Sequence, residues 1–545
     1  MPRRLFAAVA ASSALLLAAC GSAPGTGGTD AGATPVPGGT LAFAVNRDAT
    51  CPLDPQQSPA SLTSLLARPV VDSLVALGPD STVKPWLATE WTVSPDGTAY
   101  TFTLRPDVAF TNGEKLDAAA VKTNLDRIVA PATKSQAAAS LLAAYAGTRV
   151  IDASHVEIDL KRPDSTLLTN LSTPALGIQA PGSLTRTPAE VCTQIVGSGP
   201  FTAGAYTPAK GLSYTKNPAY QWGPGTSAHT GPAYLDGITV SVVPEDTSRV
   251  GALSSGQIDV ASDIPPVNVA DISANSQLAL EKFTAPGGVY SYFPNVSRGP
   301  FADVNVRKAF RAGIDWNTLV KQLFFGVYDA ASGPLSPTTF AYDKQSSAAY
   351  AYDRDAANRL LDQAGWTTRD AEGFRTKDGT RLTLVHPFLA SRASAANATL
   401  AVQVQAAAKQ LGIDVQTQNV EYPAYLAAFV NNQYDLFDFS WSGSSPSVLG
   451  TLFGSNNIST GGKFATNASR LADPQLDQAL STALAAKDPA AQVAAYAKAQ
   501  QAVADQAAVF PAYVTTVAVG TRADVHGIGF APDGYPTFYD AWKGK

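Results

Sequence analysis

The sequence predicts a protein of mixed α and β structure, because segments with strand-like and helix-like spacing of apolar residues alternate along the chain. After a turn at Ser94–Gly97, the apolar residues Tyr100, Phe102 and Leu104 alternate with threonines, which is the period of a half-buried strand. The stretch 353–365 begins with an aspartate that can cap a helix, carries apolar residues at helical spacing and ends in glycine.

The chain is too long to be organised around a single hydrophobic core. Its 545 residues exceed the size at which one core usually stops growing, so two or three lobes are expected. Charged residues make up 15% of the chain and the formal net charge is −5, with a sequence pI near 5.5. A protein that binds nucleic acid usually carries a basic stripe or a high pI. The composition therefore excludes nucleic acid as a partner.

The N-terminus has the pattern of an export signal. Two arginines precede an apolar stretch, residues 5–17, that is too short to span a bilayer as a permanent helix. Small residues then lead to Cys20, and this ending resembles a bacterial lipobox, which implies removal of the signal peptide 1–19 and a diacylglycerol on Cys20. Residues 20–38 are rich in glycine, proline, threonine and alanine, as a flexible tether requires. An ordinary secretory signal with a chance cysteine is the alternative.

Cys51 and Cys192 remain once Cys20 is assigned to the lipid. Export places both thiols in an oxidising compartment, and two thiols allow one pairing. We therefore predict a disulfide between Cys51 and Cys192. The alternative is a pair of buried thiols that lie too far apart to be bridged.

Two predicted helices near the C-terminus have clear N-terminal signals. Asp473 and Asp488 are each followed by proline, which is the pattern of an N-cap and a first helical residue. We expect the second helix to continue until Pro511 ends it. Gln500 interrupts the apolar stripe of this helix, so we expect that stripe to be only partly buried.

A dense series of aromatic, glycine and turn residues lies between positions 86 and 121. In order, these residues are Trp86-Leu87-Ala88, Trp91, Ser94-Pro95-Asp96-Gly97, Tyr100-Thr101-Phe102, Leu104-Arg105, Val108, Phe110, Asn112-Gly113 and Val121. The series resembles the signature of the family 5 solute-binding proteins of bacterial ABC importers, which include oligopeptide, dipeptide and nickel receptors.

Further landmarks follow in the order in which that family has them. They are Val196–Phe201, Gly256–Val260, Asn295, Pro300–Val304, Val306–Ala309, Ile314-Asp315, Ala356–Trp366, Tyr434-Asp435 and Trp441. The resemblance runs from about Thr40 to the C-terminus, so it covers the chain beyond the predicted tether.

The resemblance implies a two-lobe clamp of the periplasmic-binding-protein type (type II, cluster C), in which one lobe is discontinuous and carries an inserted subdomain. Mapped onto this sequence, lobe 1 comprises residues 39–78, 195–286 and 512–545. The inserted subdomain comprises residues 79–194, and lobe 2 comprises residues 287–511. Both Cys51 and Cys192 then fall in lobe 1 or at its border.

The resemblance also implies ligand contacts in the segment that follows Tyr434-Asp435. In peptide-binding relatives the aromatic at Trp441 lines the cleft, and a carboxylate three residues later pairs with the α-ammonium group of the ligand. Here that position is Ser444, and Ser442 lies between the two. A hydroxyl cannot neutralise a buried ammonium group. A neutral polar, blocked, anionic or differently anchored ligand is therefore favoured over a peptide with a free amino terminus.

Two other segments are implied at the cleft. One is the loop after Pro55, where relatives offer backbone pairing to an extended ligand; its predicted contacts are Ser58, Ala60 and Ser61. The other begins at Tyr290, where we expect Asn295 to offer amide hydrogen bonds and Arg298 to hold a ligand carboxylate bidentately. Packing of Trp441 in a core, a solvated Arg298 and a backbone-fixing Asn295 are the alternatives.

Metal and cofactor sites are not indicated. The four histidines, at positions 155, 229, 386 and 526, are scattered without the spacing of metal ligands, so we predict neither a metal nor a cofactor. We expect a monomeric receptor, anchored at the extracytoplasmic face of the membrane, that binds a peptide or another small molecule and delivers it to ABC permease subunits.

Two other functions are considered. Ser81 and Lys84 fit the S-x-x-K pattern of exported serine hydrolases, but that chemistry needs a helix, and Pro85 disfavours one. We therefore predict that the protein is not an enzyme. A receptor that senses its ligand instead of feeding a permease has the same sequence pattern, and uptake of the ligand after gene deletion would separate the two.

Overall fold

The computed structural model describes residues 34–49, 51–135, 137–391, 393–441, 443–532 and 534–544. The predicted signal peptide, Cys20, the tether up to residue 33 and Ser442 lie outside the described residues. Strands and helices are interleaved throughout the described ranges, which confirms the predicted mixed α and β class. Helices of the described ranges are all too short or too polar to cross a membrane.

A seven-stranded sheet forms the centre of the first lobe. Its strands, in spatial order, are Leu278–Thr284, Thr516–Arg522, Val260–Ala261, Thr40–Val45, Gly237–Val242, Gly211–Lys216 and Phe201–Ala203. The strand Thr40–Val45 is central and buried, because its apolar residues contact helices on both faces. Helices and short strands that complete this lobe are Ser61–Ala67, Asp246–Ser254, Val269–Ala274, Val525–His526, Gly529–Phe530, Pro536–Thr537 and Trp542–Lys543.

A separate four-stranded antiparallel sheet lies in the segment between the first and second passages through the large sheet. Its order is Ala88–Val93, Ala99–Leu104, His155–Leu160 and Tyr145–Val150, and the alternation predicted at Tyr100, Phe102 and Leu104 is confirmed by their burial. The remaining elements of this body are Val75–Leu77, Val83–Pro85, Ala118–Val129, Ala137–Leu141, Leu167–Asn170 and Pro188–Thr193. Its core also includes Tyr220 and Trp222, which lie beyond the predicted inserted segment.

A disulfide joins Cys51 to Cys192, with their Cα atoms 4.6 Å apart. It connects the loop after the first strand to the helix Pro188–Thr193. The same loop is held by Asp54, whose buried carboxylate accepts a 2.6 Å hydrogen bond from Arg127. The loop that follows Cys51 is therefore attached to the inserted body at two points.

The second lobe is built on a three-stranded antiparallel sheet in the order Leu436–Phe439, Tyr290–Pro294 and Phe510–Tyr513. Smaller sheets pair Thr383–Phe388 with Asp414–Asn419, and Thr368–Arg369 with Arg375–Lys377 and Thr380–Arg381. Its helices are Val304–Gly313, Trp316–Leu323, Arg354–Gln363, Ala395–Leu411, Tyr422–Val430, Val448–Phe453, Pro474–Ala485 and Pro489–Asp505.

Helix termini in the second lobe follow the sequence signals closely. The carboxylates of Asp353, Asp473 and Asp488 each accept a hydrogen bond from a first-turn backbone N–H, and Gly412 ends its helix in the left-handed conformation at φ 85°. The last long helix ends at Asp505, however, and not at Pro511. Gln500 is fully buried because its amide bonds the backbone of Asp343 and Ala341, so it does not expose this face. The face is nevertheless only partly buried, as predicted, because Val493 near its start is 40% exposed.

The predicted border between residues 511 and 512 falls inside a strand. Tyr513 pairs with Tyr290 in the second-lobe sheet, and the chain enters the seven-stranded sheet at Thr516. Because the strand Phe510–Tyr513 needs a partner along its whole length, it stays with the second lobe to its end. The return crossing lies at residues 514–515.

Candidate ligand-binding cleft

The carboxyl ends of several strands of the large sheet meet at one edge. Thr40–Val45 runs parallel to Gly237–Val242 and to Val260–Ala261. Leu278–Thr284 has the same direction, because both it and Val260–Ala261 pair antiparallel with Thr516–Arg522. In open sheets with parallel strands, ligands bind beyond the carboxyl ends of the strands.

The second lobe lies beyond this same edge. Both crossings start there: the chain leaves the large sheet after Thr284 and returns at Thr516, and the N–H of Ala285 donates a 2.9 Å hydrogen bond to the carbonyl of Thr515. On the far side of the crossings, Tyr290 pairs with Tyr513. The end of the second-lobe sheet that carries these two tyrosines therefore faces the carboxyl edge of the first lobe.

Trp441 is at this end of the second lobe, as the resemblance implies. It follows the strand Leu436–Phe439, whose last residue pairs with Ser291, and 40% of it is exposed. Its carbonyl accepts a 3.1 Å hydrogen bond from the N–H of Gly288 in the outgoing crossing. An exposed tryptophan at the mouth of the cleft is suited to contact a ligand, and this exposure argues against its packing in a core.

Ser444 lies in the same loop and is half-buried. The loop is seated on the outgoing crossing, where Gly287 has φ 97° and a Cβ atom on it would lie 2.4 Å from the carbonyl oxygen of Gly443. Only glycine allows this close approach. Gly443, the neighbour of Ser444 in the chain, is therefore held against the hinge, as is the carbonyl of Trp441.

Tyr290 supports the cleft from inside the second lobe and presents little surface to it. Its ring is 7% exposed and stacks on Tyr513, and its hydroxyl donates to the carboxylate of Asp438. Burial, and secondarily the charge of Asp438, raises the pKa of Tyr290 well above its ordinary value. Asp438 also lies 2.8 Å from Nε2 of the buried His386. The hydroxyl of Tyr290 is thus occupied within the lobe by Asp438.

Asn295 and Arg298 lie at the opposite end of the second-lobe sheet. The strand Tyr290–Pro294 rises roughly 16 Å along its five residues, which separates them from Trp441. Asn295 is fully buried, and its amide bonds the carbonyl of Tyr434 at 2.9 Å and the hydroxyl of Ser297 at 2.7 Å.

Arg298 is engaged at that distant end as well. Its Nη1 donates a 2.9 Å hydrogen bond to the carbonyl of Asn432, and its Nε lies 3.7 Å from the carboxylate of Asp435. The side chains of Asn295 and Arg298 are therefore engaged within the second lobe, at the end away from Trp441. Their nearness to Tyr290 in sequence concealed the fact that an extended strand carries them away from the cleft.

The loop with Ser58, Ala60 and Ser61 belongs to the first lobe and leads into the helix Ser61–Ala67. The hydroxyl of Ser58 accepts hydrogen bonds from the N–H of Ala60 at 3.1 Å and from Oγ1 of Thr63 at 2.8 Å. Ala60 is exposed, whereas Ser58 and Ser61 are half-buried. The side chain of Ser58 thus stabilises the loop, and the N–H and carbonyl of the exposed Ala60 are both bonded within it, to Ser58 and to the N–H of Thr63.

Arg47 is a residue of this region that the sequence analysis missed. It stands two positions after the end of the central strand Thr40–Val45, is exposed, and donates a 3.4 Å hydrogen bond from Nη2 to Oγ of Ser61. The sequence could have indicated Arg47 through its position between the first predicted strand and the proline-containing loop. That place puts a guanidinium group at the carboxyl edge.

The structure also bears on the hydrolase alternative. Ser81 lies in the turn between Val75–Leu77 and Val83–Pro85, with φ 61°, and Lys84 lies on the second of these strands. The pair therefore lacks the helix that the S-x-x-K arrangement needs. Among the residues that the structure describes, no group of three or more His, Cys, Asp and Glu side chains is arranged to hold a metal ion.

Two sheet-centred lobes, joined by adjacent crossings and facing each other across the edge where the parallel strands of a mixed sheet end, define a clamp-type solute-binding protein. A model of the bacterial extracellular solute-binding proteins of family 5 matches residues 82–462. The chain belongs to this family, whose members act outside the cytoplasm as binding components of ABC importers.

Relatives and solved structures agree with this assignment. The glutathione-binding protein GsiB of Shigella dysenteriae is 30% identical over 499 residues, which cover 90% of this chain and 92% of that protein. The structure of NikA from Brucella suis in complex with Fe(III)-EDTA superposes with a TM-score of 0.80 at 26% identity, covering 93% of this chain and all of that one. DppA from Helicobacter pylori in complex with a peptide has a TM-score of 0.74 at 23% identity, covering 94% and 99%, and shows the fold.

Proposed function

We propose that this chain captures a peptide-like or other small polar solute between its two lobes and delivers it to the permease of an ABC importer. The observation that carries the proposal is Trp441, which is 40% exposed where the second lobe faces the carboxyl edge of the first. Closure of the lobes around a ligand is driven by the higher affinity of the closed form. Covalent chemistry has no part in this function, so the protein is not an enzyme.

The ligand class is narrowed by Ser444 and by the relatives. A hydroxyl beside Trp441 provides no counter-charge for an ammonium group, so a ligand anchored by its free amino terminus at this point is disfavoured. The relative named for glutathione binding and the neighbour solved with Fe(III)-EDTA take ligands that carry several carboxylates. We propose a ligand of the same kind, a small peptide-like molecule or chelate with free carboxylates.

Native mass spectrometry of the purified protein tests the binding function directly. We expect one ligand of low molecular mass per chain, released on denaturation. A thermal-shift screen with reduced glutathione, oxidised glutathione, tripeptides and citrate then identifies binders, because a ligand that binds the folded state alone raises Tm with concentration. The absence of both a co-purified ligand and any shift would contradict the proposal.

We further propose that Cys20 carries a lipid that anchors the receptor at the extracytoplasmic face of the membrane. The lipobox-like ending of the N-terminal segment and the glycine-rich stretch after it support this proposal. Replacing Cys20 by serine is expected to move the protein from the membrane fraction to the soluble fraction after export. A variant that stays with the membrane would refute the anchor and leave the binding function untouched.

We propose lobe borders that follow the sheets. Lobe 1 comprises residues 39–78, 195–286 and 514–545, the inserted subdomain comprises 79–194, and lobe 2 comprises 287–513. The C-terminal border differs from the sequence-based one because Tyr513 pairs with Tyr290. We further propose that the receptor acts as a monomer.

A further inference from the structure

We propose that Arg47 is the residue that anchors a ligand carboxylate in the cleft. The proposal rests on the proposed binding function and names the charge of the ligand and the group that recognises it. It gives to Arg47 the role that the sequence analysis assigned to Arg298, which lies at the far end of the second-lobe sheet.

The position of Arg47 is set by the strand before it. Thr40–Val45 is flanked by parallel strands on both sides, so residues 46 and 47 emerge at the middle of the carboxyl edge. Both crossings to the second lobe leave from this edge. The side chain also reaches Ser61, at the start of the helix that follows the exposed Ala60. Arg47 thus joins the two first-lobe segments that border the cleft.

Among the residues that the structure describes, no carboxylate neutralises the guanidinium group of Arg47. Its hydrogen bond to Ser61 is long, at 3.4 Å, and no carboxylate of the described ranges forms an ion pair with it. The adjacent Asp48 is used elsewhere, because its carboxylate accepts hydrogen bonds from the hydroxyl of Tyr206 and from the N–H of Ala209. Most of the five N–H donors of Arg47 are therefore available to a ligand.

Of the acidic residues that follow the neighbouring strands, Glu245 is engaged in its own helix and Asp263 lies near a buried tyrosine. Glu245 caps the helix Asp246–Ser254 by accepting a 2.6 Å hydrogen bond from the N–H of Ser248. Asp263, beyond Val260–Ala261, lies close enough to Tyr328 to raise the pKa of that hydroxyl, for which burial is the larger cause. Arg47 follows the strand that lies between the two strands that these carboxylates follow. Among the described residues within two positions of the carboxyl ends of these three strands, it is the one cation.

Arginine binds carboxylates through two parallel hydrogen bonds, and this contact strengthens when closure of the lobes removes water from it. The cleft then has Arg47 on one side, and Trp441 with the uncharged Ser444 on the other. A ligand that fits it carries a carboxylate and an apolar or planar group. Its ammonium group, if present, points away from Ser444.

Calorimetric titration of matched ligand pairs tests the role of Arg47. The pairs are reduced glutathione with its diethyl ester, and trialanine with its C-terminal amide. We expect the wild-type protein to prefer an acid over its neutral partner, and Arg47→Gln to weaken acid binding about tenfold or more while leaving neutral binding unchanged. Arg47→Lys should retain part of the preference, and Arg149→Gln, an exposed arginine of the inserted sheet, all of it.

The possible outcomes separate this proposal from the binding function. A preference for acids that survives in Arg47→Gln overturns the anchor and leaves the receptor intact. If the wild-type protein binds only the neutral partners, the role of Arg47 is likewise overturned and the receptor function remains. Failure of every pair to bind the wild-type protein contradicts both the anchor and the proposed ligand class.

A second inference comes from a contact between the inserted body and the second lobe. The N–H of Ser165 donates a 2.9 Å hydrogen bond to the carbonyl of Leu484, and its hydroxyl accepts a 2.7 Å hydrogen bond from Nε2 of Gln492. That hydroxyl also lies 3.3 Å from the carbonyl of Ala483. More than 300 residues of sequence separate the two sides, and neither crossing is involved.

We infer that Ser165 is a latch that holds the two lobes together in the closed form. The carbonyls of Ala483 and Leu484 lie in the last turn of the helix Pro474–Ala485, beyond the reach of its own i+4 donors; that of Ala483 also accepts a 3.3 Å hydrogen bond from the N–H of Ala486, the C-cap. The N–H and hydroxyl of Ser165 occupy this end, and Gln492, in the first turn of the next helix, adds a third bond. Water replaces these bonds when the lobes separate, so their contribution biases the equilibrium without preventing opening.

Hydrogen–deuterium exchange of the ligand-free protein tests the latch. We expect the peptide around Ser165 to exchange about fivefold faster in Ser165→Ala and in Gln492→Ala, since each removes about one net hydrogen bond. X-ray scattering should give both variants a larger radius of gyration than the wild type. Gln501→Ala, which removes an exposed glutamine farther along the helix, is the matched control. Unchanged exchange and unchanged radius in both variants would show that the contact does not hold the lobes.

Discussion

Nε2 of His386 lies 2.8 Å from Oδ1 of Asp438, with both side chains buried inside the second lobe. The second oxygen of that carboxylate accepts the hydroxyl hydrogen of Tyr290. Asp438 is on the strand that leads directly to Trp441, and Tyr290 begins the strand that follows the outgoing crossing. The buried contacts among His386, Asp438 and Tyr290 therefore connect the strand that supports Trp441 to the hinge.

Removing this carboxylate is expected to destabilise the protein markedly. Asp438→Ala leaves a buried imidazole and a buried phenol without their shared partner, so we expect a loss of about 3 kcal/mol in the free energy of unfolding. Urea unfolding measures it. The chain offers a matched control in Asp152, which contacts His155 at 2.9 Å on the surface. Asp152→Ala should unfold at the same urea concentration as the wild type; an equal loss in both variants would refute the argument.

Trp441→Ala is expected to weaken ligand binding by more than about tenfold, because it removes an aromatic anchor from the cleft. The ring is exposed in part and belongs to no core, so the melting temperature should change little. Titration calorimetry beside a melting curve separates the two effects. Tyr352→Ala, which truncates another exposed aromatic of the second lobe, should leave the affinity unchanged. An unchanged affinity in Trp441→Ala would place the ligand elsewhere.

Ser444→Asp is expected to improve the binding of peptides that have a free amino terminus. A carboxylate at this position supplies the counter-charge for an ammonium group that the serine lacks. The same peptides with an acetylated amino terminus provide the control, since they offer no charge to pair with. Equal affinity of the variant for both forms would contradict the assignment of this position to an ammonium group.

The buried Asp72 is expected to make the free energy of unfolding depend on pH. Burial raises its pKa to about 6, although Ser198 and Trp222 each donate a 2.9 Å hydrogen bond to its carboxylate. Between the unfolded pKa of 3.8 and about 6, the folded state holds a proton that the unfolded state releases, so stability falls as the pH rises through this window. The contribution is about 3 kcal/mol.

The variant Asp72→Asn isolates this contribution because it cannot ionise. The free energy of unfolding of the variant minus that of the wild type should rise by about 2 kcal/mol from pH 4 to pH 6 and level off above about pH 7, where the full contribution of about 3 kcal/mol is reached. Urea unfolding at several pH values measures the difference. A difference that does not vary with pH would show that Asp72 keeps an ordinary pKa.

Local features of the fold were accessible from the sequence because they depend on neighbours along the chain. The caps at Asp353 and Asp488 and the left-handed Gly412 are decided within one helical turn. The burial of Gln500 could not be predicted because its partners, the backbone of Asp343 and Ala341, lie more than 150 residues away. A polar residue in an apolar stripe predicts exposure only when no distant partner is present.

The candidate site was accessible only in part. Trp441 was located because the family resemblance assigns a role to its position. Arg298 was expected at the cleft because it is close to Tyr290 in sequence, but the five-residue strand Tyr290–Pro294 leads away from the hinge and the turn that follows it holds Arg298 at the other end of the second-lobe sheet. Arg47 was overlooked because its importance depends on the parallel pairing of the central strand, which becomes visible only with the sheet order.

Small-angle X-ray scattering with and without ligand tests the central claim most directly. With a saturating concentration of a ligand found in the thermal-shift screen, the two lobes should close on Trp441, and the radius of gyration should fall while the mass stays that of one chain. Trp441→Ala at the same ligand concentration should keep the larger radius. An identical scattering curve for the wild-type protein with and without a bound ligand would contradict the clamp.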